Sequence, residues 1–460
     1  MFQRILIANR GEIALRVLRA CRDMNIDTVV VYSSADADSL PVQLAGRAVC
    51  VGPPRAGESY LNAAAILTAA QAAGCDAVHP GYGFLSENAD FADACAREGL
   101  KFIGPSGDVI RKMGNKAAAR SLMQTVGVPV VPGSDGAVAN AAAAKRVANA
   151  IGYPVLIKAA AGGGGRGMRR CFSPGELEEK FEEARSEAVA NFGDGEMYLE
   201  KLILSPRHIE FQILADCDGN VIQLGERDCS IQRKNQKLIE ESPSRALTPA
   251  LRAAMGEAAV KAARAARYEN AGTIEFVVDR EGHFYFIEMN TRIQVEHPVT
   301  EFVTGMDLVR EQIRIAAGLA LSRRQEEVTL TGHAIECRIN AEDPGRGFAP
   351  CPGTVDFLHL PGGPGVRVET ALYTGYSLPP FYDSLCAKVV VHAPTRLDAV
   401  RKMRRALEEL VIEGCTTNTA LAHQIMYCPE FVRGNVDTSF LDRNLDTLLK
   451  WCDTGEEAEK

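Results

Sequence analysis

The sequence predicts an α/β protein with more than one domain, and three observations support this fold class. Predicted strands and helices alternate over residues 4–110, an order typical of an open, mostly parallel α/β sheet. The length of 460 residues suggests two to four domains. From about residue 333, proline and glycine punctuate a further block of strands with one long helix, which indicates a separate C-terminal unit.

The first block contains two loops where a ligand site is expected. In open α/β sheets, ligands bind beyond the carboxyl ends of the strands. Residues 9–11 and 79–83 lie at such ends, although both glycine turns are equally explained as tight connections. The predicted strands of this block are 4–8, 27–32, 77–79 and 101–103, and its predicted helices are 11–24, 60–73 and 88–97.

Two further blocks follow. The second begins at a loop over residues 130–136. One of its helices is expected to start at Ser173 and Pro174, with Glu176 completing a capping box. The third begins near His333. Other elements predicted in these blocks are strands 154–158, 168–172, 273–279, 284–289, 333–340 and 386–392, a hairpin turn at 218–220, and helices 249–268 and 396–410.

Composition limits the classes of function that fit the chain. Hydrophobic residues make up 46% and charged residues 24%, as in ordinary globular proteins. The net charge of -8 argues against nucleic acid or an anionic membrane as the main partner. The thirteen cysteines show no C-x-x-C pair, and the first apolar run is too short for a secretory signal or a membrane span. We therefore expect reduced thiols and a cytoplasmic location.

A run of four glycines, residues 162–165, lies between two strands that are predicted to be antiparallel. The run formally matches G-x-G-x-x-G, but a strand follows it instead of a helix, so neither a Rossmann turn nor a P-loop is expected. Lys158 and Arg166 flank the run, and glycine N–H groups can approach phosphate oxygens closely. We interpret it as a flexible phosphate-binding flap, with an unliganded hairpin tip as the alternative.

A predicted hairpin of strands 273–279 and 284–289 places Glu275 directly opposite Glu288. Like charges in facing positions are destabilising unless something neutralises them. A divalent cation such as magnesium, which prefers carboxylate ligands, would do so. A repulsive surface pair is the alternative.

Polar side chains then occupy every second position up to residue 296. If the segment is extended, they share one face, which would also be true of a solvated strand. The row consists of Glu288, Asn290, Arg292, Gln294 and Glu296.

Several long motifs, in the same order along the chain, resemble the biotin carboxylases of the ATP-grasp superfamily. The resemblance covers essentially the whole chain, and residues 380–384 separate this family from most other ATP-grasp ligases. The motifs are ANRGEIA (8–14), HPGYGFLSEN (79–88), GGGGRGM (162–168), ERDCSIQR (226–233), EMNTRIQVEHPVTE (288–301) and ECRINAEDP (336–344).

The resemblance implies a domain organisation and a reaction. An N-terminal domain (1–112) precedes an ATP-grasp domain (113–330) whose mobile lid spans about 131–203, and a C-terminal α+β domain occupies 331–447. ATP, with magnesium or manganese and two ions in the site, phosphorylates bicarbonate to carboxyphosphate. The carboxyl group then passes to N1 of biotin on a carrier protein.

The resemblance also implies partners and an acceptor. The chain has no biotin-accepting lysine flanked by methionines, so the biotin carboxyl carrier protein and the carboxyltransferase are expected as separate chains, with a homodimer of this chain. Acetyl-CoA, as in fatty acid biosynthesis, is the default final acceptor, and pyruvate or another keto acid is the alternative.

Individual residues take roles from the same resemblance. The ATP phosphates and the nucleotide pocket are assigned to Lys116, Lys158, Gly163, Gly164, Gly165, Glu200, Lys201, Ile203, His208, Gln232 and Asn235. Metal binding is assigned to Glu275, Glu288 and Asn290, and substrate binding to Tyr82, Lys237, Arg292, Gln294, Val295, Arg338 and Asp383. The catalytic residues are Glu296, Arg338, Lys237 and Arg292.

The two central roles have a physical basis. Bicarbonate is a poor nucleophile at neutral pH unless a positioned carboxylate, here Glu296, deprotonates it. A guanidinium stays charged at any relevant pH, so Arg338 suits the enolate oxygen of biotin. By itself, Arg338 is also explained as part of a polar sheet face.

Three positions depart from the family pattern. Asn115 replaces a usual aspartate, Ala161 replaces a usual glycine, and Asn235 replaces a common histidine. These changes affect the expected ATP affinity and flap motion more than the reaction, since no predicted catalytic group is removed.

Two rival functions differ in their demands on the sequence. Another ATP-grasp ligase, forming an acyl-phosphate for amide synthesis, would leave the Arg338 segment and the C-terminal block unexplained. A non-catalytic nucleotide-binding protein within a carboxylase would be favoured if Glu275, Glu288, Glu296 or Lys237 were missing, and all four are present.

Overall fold

The first block folds as the predicted parallel α/β sheet. The computed structural model describes residues 1–159 and 167–458, so the predicted phosphate-binding residues Gly163, Gly164 and Gly165 lie outside the described residues, as does Ala161. Five parallel strands lie in the order β3-β2-β1-β4-β5. The strands are β1 (Arg4–Ile7), β2 (Asp27–Ser33), β3 (Arg47–Gly52), β4 (Ala77–His79) and β5 (Lys101–Phe102), and the helices are α1 (Gly11–Asp23), α2 (Leu40–Leu44), α3 (Ala63–Ala72) and α4 (Ala89–Arg97).

Three details of this block differ from the prediction, and the first is that helix α2 was not predicted. Strand β3 was not predicted, although it extends the sheet beside β2. Helix α3 begins three residues later than expected, because the side chain of Asn62 accepts a hydrogen bond from the N–H of Ala65 (3.1 Å) and caps the helix there.

A small three-stranded sheet, in the order β7-β6-β8, forms the start of the second block. Met168 pairs antiparallel with Lys158, so the predicted return of the chain after the glycine run is confirmed. The expected helix start at Ser173 and Pro174 is wrong. The Ser173 hydroxyl donates to Glu176 Oε1 (2.9 Å) within a turn, and the helix starts only after that turn. The elements are α5 (Gly107–Gly114), α6 (Lys116–Thr125), α7 (Ala141–Ile151), β6 (Val155–Ala159), β7 (Met168–Cys171), α8 (Leu177–Phe192) and β8 (Met197–Lys201).

A second, larger sheet contains eight strands and carries most of the site residues. Its order is β13-β12-β9-β10-β11-β14-β19-β18. The two hairpins that the sequence predicted, turning near residues 219 and 281, both form within it. The elements of this part of the second block are β9 (Arg207–Ala215), β10 (Val221–Arg233), β11 (Gln236–Ser242), α9 (Pro249–Ala266), β12 (Asn270–Val278), β13 (Phe284–Asn290), α10 (His297–Thr304) and α11 (Leu308–Ala316).

The third block continues the same sheet, because β14 pairs antiparallel with β11. Helices α12 and α13 cover this end of the large sheet. Met403 of α12 lies in one apolar core with Ile335 of β14 and Val389 of β19. The elements are β14 (His333–Asn340), β15 (Glu342–Asp343), β16 (Ala349–Pro350), β17 (Phe357–His359), β18 (Val366–Thr370), β19 (Leu385–Ala393), α12 (Arg396–Glu409), β20 (Val411–Glu413), α13 (Thr419–Tyr427), α14 (Pro429–Arg433) and α15 (Phe440–Ala458).

Within residues 1–159 and 167–458, no helix combines the length and the apolar character needed to cross a membrane.

The buried side chains of Glu241 and His333, together with the partly exposed Arg396, connect β11 to β14 and α12. Glu241 Oε2 lies 2.7 Å from His333 Nε2 and accepts from Arg396 Nε at 2.6 Å. Burial alone would raise the pKa of Glu241, but His333 and Arg396 outweigh it and lower the pKa to about 2. Because this folded-state pKa lies below the unfolded value of about 4.3, the stabilisation is complete above that value and is lost as the pH falls toward 2.

We therefore expect Glu241→Gln to reduce the free energy of unfolding at pH 7 by roughly 3 kcal/mol. Urea unfolding of wild type and variant between pH 2 and pH 7 measures the difference. The difference should shrink below about pH 4.5 as the wild-type carboxylate is protonated. A difference that stays constant over this range would contradict the assignment.

Candidate active site

A lysine with only 11% of its side chain exposed lies among three carboxylates on the large sheet. Lys237 Nζ donates to Glu210 (2.6 Å), Glu275 (3.0 Å) and Glu296 (2.6 Å). Burial disfavours the charged form, but the three carboxylates outweigh it and raise the pKa of Lys237 well above its usual range. The lysine is therefore a fixed positive charge in the centre of the cluster.

Strand pairing brings these groups together from distant positions in the sequence. Glu210 on β9 faces Glu275 on β12 and also Arg227 on β10. Arg227 is fully buried and donates to Glu210, Gln212, Thr273 and Thr300, with the Glu210 bond at 2.5 Å. Sequence reasoning missed Glu210 and Arg227. The signal available for Arg227 was its place next to Glu226 in the motif ERDCSIQR. An arginine in a buried strand needs a charged partner, because an unpaired buried charge is costly.

The predicted facing of Glu275 and Glu288 across the hairpin is confirmed. Their surroundings differ: Glu275 is buried, whereas Glu288 is 36% exposed and lies 3.6 Å from Lys116 Nζ. Burial would raise the pKa of Glu275, but Lys237 and His208 outweigh it and hold the pKa well below its usual range. Two carboxylate side chains facing each other at the edge of a buried cluster fit a hard divalent cation.

The segment from residue 288 to residue 296 is extended only in its first part. Strand β13 ends at Asn290, and the chain then bends and turns into α10. Arg292 nevertheless bonds Asn290 Oδ1 (3.0 Å) and Gln294 Oε1 (2.8 Å). Its Nε donates to Glu87 (2.9 Å), which also accepts the N–H of Thr291 (3.2 Å) and holds the bend.

The side chains of Asn290 and Gln294 both contact Glu275, a predicted metal ligand. The amide groups of Asn290 and Gln294 donate to Glu275 Oε1 at 2.8 Å and 3.1 Å. The bend therefore brings Asn290 and Gln294 to the same carboxylate, although the segment is not extended throughout. Glu87 was missed, although it lies in the motif HPGYGFLSEN.

Glu296 and Arg338, the predicted base and enolate-stabilising cation, are in direct contact. Glu296 is fully buried and accepts from Arg338 Nη2 (2.9 Å) as well as from Lys237. Burial would raise the pKa of Glu296, but Lys237 and Arg338 outweigh it and lower the pKa well below the usual range. Glu296 is therefore ionised, as a general base must be.

Glu240 is the second carboxylate that pairs with Arg338, and it was not predicted from the sequence. Its Oε1 accepts from Arg338 Nε (2.6 Å). Burial raises the pKa of Glu240 to about 7, despite the opposing effect of Arg338. Glu240 follows Lys237 by three residues on β11, a spacing that carries no signal without the fold.

The predicted nucleotide residues divide between the two sheets. On the small sheet, Lys158 forms an ion pair with Glu200, and Arg120 Nη1 lies 3.7 Å from the same carboxylate. Lys201 Nζ donates to the carbonyls of Gly152 (3.0 Å) and Tyr153 (2.8 Å). Arg120 was not predicted from the sequence as a residue of this site.

On the large sheet, two predicted nucleotide residues lie beside the ion cluster. His208 Nε2 is 2.9 Å from Glu275 Oε2, and Gln232 faces Lys237 across β10 and β11. Burial works against a charged His208, but Glu275 outweighs it and raises the pKa of the imidazole. His208, a predicted nucleotide residue, is thus in direct contact with the predicted metal ligand Glu275.

Asn235 lies in the two-residue turn between β10 and β11. Lys234 and Asn235 have φ values of 48° and 66°. Asparagine tolerates this left-handed region better than most residues, so the departure from histidine at Asn235 suits the turn. Ile203 is half-buried just beyond β8.

The remaining predicted substrate residues are not equally close to the cluster. Tyr82 donates its hydroxyl to Glu12, and the carbonyl of Val295 accepts from Lys388 Nζ (2.8 Å). Asp383 is exposed and accepts from the N–H of Leu385 (2.9 Å). The structure does not place Asp383 among the paired residues of the cluster.

Comparisons with known proteins cover the whole architecture. Three family models match consecutive parts of the chain: the N-terminal domain of biotin carboxylase (residues 1–110), the ATP-binding domain of carbamoyl-phosphate synthase L chain (115–324) and the C-terminal domain of biotin carboxylase (336–443). A biotin carboxylase from Nostoc sp. is 58% identical over 440 residues, which cover 96% of this chain and 98% of the relative.

Two further relatives belong to other carboxylases. One is a pyruvate carboxylase component from Methanothermobacter thermautotrophicus, which is 52% identical, with 98% of this chain and 92% of the relative covered. The biotin carboxylase domain dimer of 2-oxoglutarate carboxylase from Hydrogenobacter thermophilus was solved with MgADP, ADP and bicarbonate. It is 51% identical, with a TM-score of 0.91, and the match covers 97% of this chain and 99% of that chain.

The layered α/β fold and its buried ion cluster define an enzyme of the ATP-grasp class. The chain belongs to the biotin carboxylase family. The predicted fold class and the prediction of an enzyme that carboxylates biotin are thereby confirmed.

Proposed function

We propose that this enzyme uses ATP to phosphorylate bicarbonate and then transfers the carboxyl group to N1 of biotin on a carrier protein. The observation that carries this proposal is the contact of Glu296 with both Lys237 and Arg338 (2.6 and 2.9 Å). A buried, ionised carboxylate between two fixed cations combines a base with charges that hold an anion.

The proposed roles follow from these contacts. Glu296 takes the proton of bicarbonate, and Lys237, Arg292, Gln294 and the Val295 backbone hold the anion. Arg338, held by Glu240 on one side, stabilises the biotin enolate after bicarbonate has reacted. Tyr82 and Asp383 complete the proposed biotin side of the site. Because the cations are already in place, little reorganisation is needed when negative charge develops.

ATP with magnesium or manganese is the proposed nucleotide complex, with two ions. Glu275, Glu288 and Asn290 would hold the metal. The ions supply positive charge that neutralises the phosphate oxygens during transfer. Proposed nucleotide contacts come from Lys116, Lys158, Gly163, Gly164, Gly165, Glu200, Lys201, Ile203, His208, Gln232 and Asn235.

The domain boundaries remain proposals: 1–112, 113–330 with a lid at about 131–203, and 331–447. The small sheet β7-β6-β8 supports the lid, since its strands are paired separately from those of the large sheet. The pairing of β11 with β14 argues against the last boundary, because it joins strands of the second and third proposed domains in one sheet.

For the partners, we propose a biotin carboxyl carrier protein and a carboxyltransferase as separate chains, a homodimer of this chain, and a cytoplasmic location. The family resemblance supports the separate chains, and the domain dimer of the 2-oxoglutarate carboxylase supports the homodimer. Acetyl-CoA is the proposed default acceptor. The relatives also include components of pyruvate and 2-oxoglutarate carboxylases, so a keto acid is the second candidate. Identification of the biotinylated protein and transferase that co-purify with this chain decides between the two.

The direct test is ATP hydrolysis by the purified chain with and without bicarbonate. We expect hydrolysis to require bicarbonate and to be stimulated by free biotin, because carboxyphosphate forms only when bicarbonate is bound. Transfer of radiolabelled bicarbonate carbon to biotin identifies the product. Hydrolysis that ignores bicarbonate would contradict the proposal and favour a different ATP-grasp ligase.

A further inference from the structure

Lys388 is a fully buried lysine at the point where all three blocks of the chain meet. It lies on β19, its side chain has no exposed surface, and its Nζ donates to the carbonyl of Val295 (2.8 Å). The same nitrogen is 3.1 Å from Glu12 Oε1 on α1. A buried ammonium group is costly unless it is paired and hydrogen-bonded, and these two contacts meet that requirement.

Both contacts lead to proposed substrate residues. Val295 directly precedes Glu296, so the bond from Lys388 restrains the peptide group next to the proposed base. Glu12 also accepts the hydroxyl of Tyr82, on the proposed biotin side. Lys388 is thus connected to the bicarbonate side through a carbonyl and to the biotin side through a carboxylate.

The pairing of β14 with β19 places Lys388 at a position where a second positive charge reduces the stability of the fold. Lys388 lies directly opposite Arg338 across β14 and β19, and like charges in facing positions are destabilising. Each cation is turned to a different partner: Arg338 to Glu240 and Glu296, Lys388 to Glu12 and Val295.

The nearby carboxyl group of Glu336 does not replace Glu12 as the partner of Lys388. Neither carboxyl oxygen of Glu336 has a hydrogen-bond partner in the described part of the chain. Burial raises the pKa of Glu336 well above its usual range, although Lys388 opposes this effect. Glu12, whose Oε1 lies 3.1 Å from Lys388 Nζ, is therefore the ion-pair partner of Lys388.

We propose that Lys388 is a positioning residue for biotin carboxylation: it fixes the Val295–Glu296 peptide for bicarbonate and, through Glu12, orients Tyr82 for biotin. The inference rests on the function proposed above. It predicts that loss of Lys388 affects the use of bicarbonate and biotin but not the binding of ATP, because its contacts lie on the substrate side of the cluster.

The test is steady-state kinetics of Lys388→Met in the full chain. We expect the KM for bicarbonate to rise about tenfold or more and biotin-dependent turnover to fall by a similar factor, the usual size of the effect when a hydrogen bond to a charged group is lost. The KM for ATP should change less than about twofold, because substitutions at sites that share no partners act nearly independently.

Two controls separate positioning from a general loss of stability. The double variant Glu12→Gln with Lys388→Met contains no unpaired buried charge, so its melting temperature should recover while its KM for bicarbonate stays high. Arg252→Met also removes the cation that pairs with a buried carboxylate, that of Glu226 (2.7 Å), although Arg252 itself is only half-buried. Glu226 precedes Arg227 on β10, so its side chain lies on the other face of the strand, and this variant should lose stability without a change in the KM for bicarbonate.

The outcomes distinguish the two levels of the proposal. An elevated KM for bicarbonate in both Lys388 variants, but not in Arg252→Met, supports the positioning role. Wild-type kinetics in Lys388→Met, recovery of the KM in the double variant, or an equal change in Arg252→Met would overturn it. If the wild type itself shows no bicarbonate-dependent activity, the proposed function fails, and this inference fails with it.

Discussion

Replacing Glu296 by glutamine is expected to lower biotin carboxylation by about a hundredfold or more, the usual size of a lost general base. Glutamine has nearly the same shape but cannot accept the proton of bicarbonate. The measurement is bicarbonate-dependent ATP hydrolysis together with transfer of labelled carbon to free biotin. Both activities should fall together, because deprotonation of bicarbonate precedes both.

The fold should survive this substitution. Lys237 keeps Glu210 and Glu275 as partners, and Arg338 keeps Glu240. A melting temperature close to that of the wild type would separate loss of the base from unfolding. Wild-type rates in Glu296→Gln would remove the assignment of Glu296 as the base.

The pH profile provides a second check on Glu296. Its pKa lies well below the usual carboxyl range, so its ionisation does not limit the rate under mildly acidic conditions. Glu240 has a pKa of about 7 and holds Arg338, so it is the better candidate for a change near neutral pH. Because burial raises this pKa, Glu240 becomes protonated as the pH falls below about 7, and its bond to Arg338 then weakens.

Replacing Arg338 by alanine is also expected to lower biotin-stimulated turnover by about a hundredfold or more, but with a different pattern. The guanidinium is proposed to act on the biotin enolate, after bicarbonate has been activated. Basal bicarbonate-dependent ATP hydrolysis should therefore fall much less than transfer of labelled carbon to biotin. Parallel assays with and without free biotin measure the two activities.

A charge-conserving variant tests the geometry of Arg338. Lysine keeps the positive charge but cannot donate to Glu240 and Glu296 from two separate nitrogens as arginine does. We expect Arg338→Lys to recover less than a tenth of the lost turnover, if both hydrogen bonds, each worth roughly 1.5–3 kcal/mol, hold the cation in place. Biotin stimulation at the wild-type level in Arg338→Ala would rule out the proposed role.

Local pattern was sufficient where the contact lies within one hairpin. The facing of Glu275 and Glu288 follows from two strands, a short turn and a two-residue period, all of which are properties of adjacent sequence. The parallel sheet of the first block is likewise encoded by the alternation of strands and helices. The bend that follows Asn290, by contrast, has a long-range cause: Glu87, more than 200 positions away, binds Thr291 and Arg292 and holds the bend.

The sequence by itself therefore determined the family, the α/β fold class and the facing glutamates, because long ordered motifs and short-range periodicity are written in neighbouring residues. Only the tertiary structure decided which groups complete the site. Glu210, Arg227, Glu240 and Lys388 come from separate strands of one eight-stranded sheet. Their charges are stable only because strand pairing buries them beside opposite charges, and no spacing along the chain records which strands become neighbours.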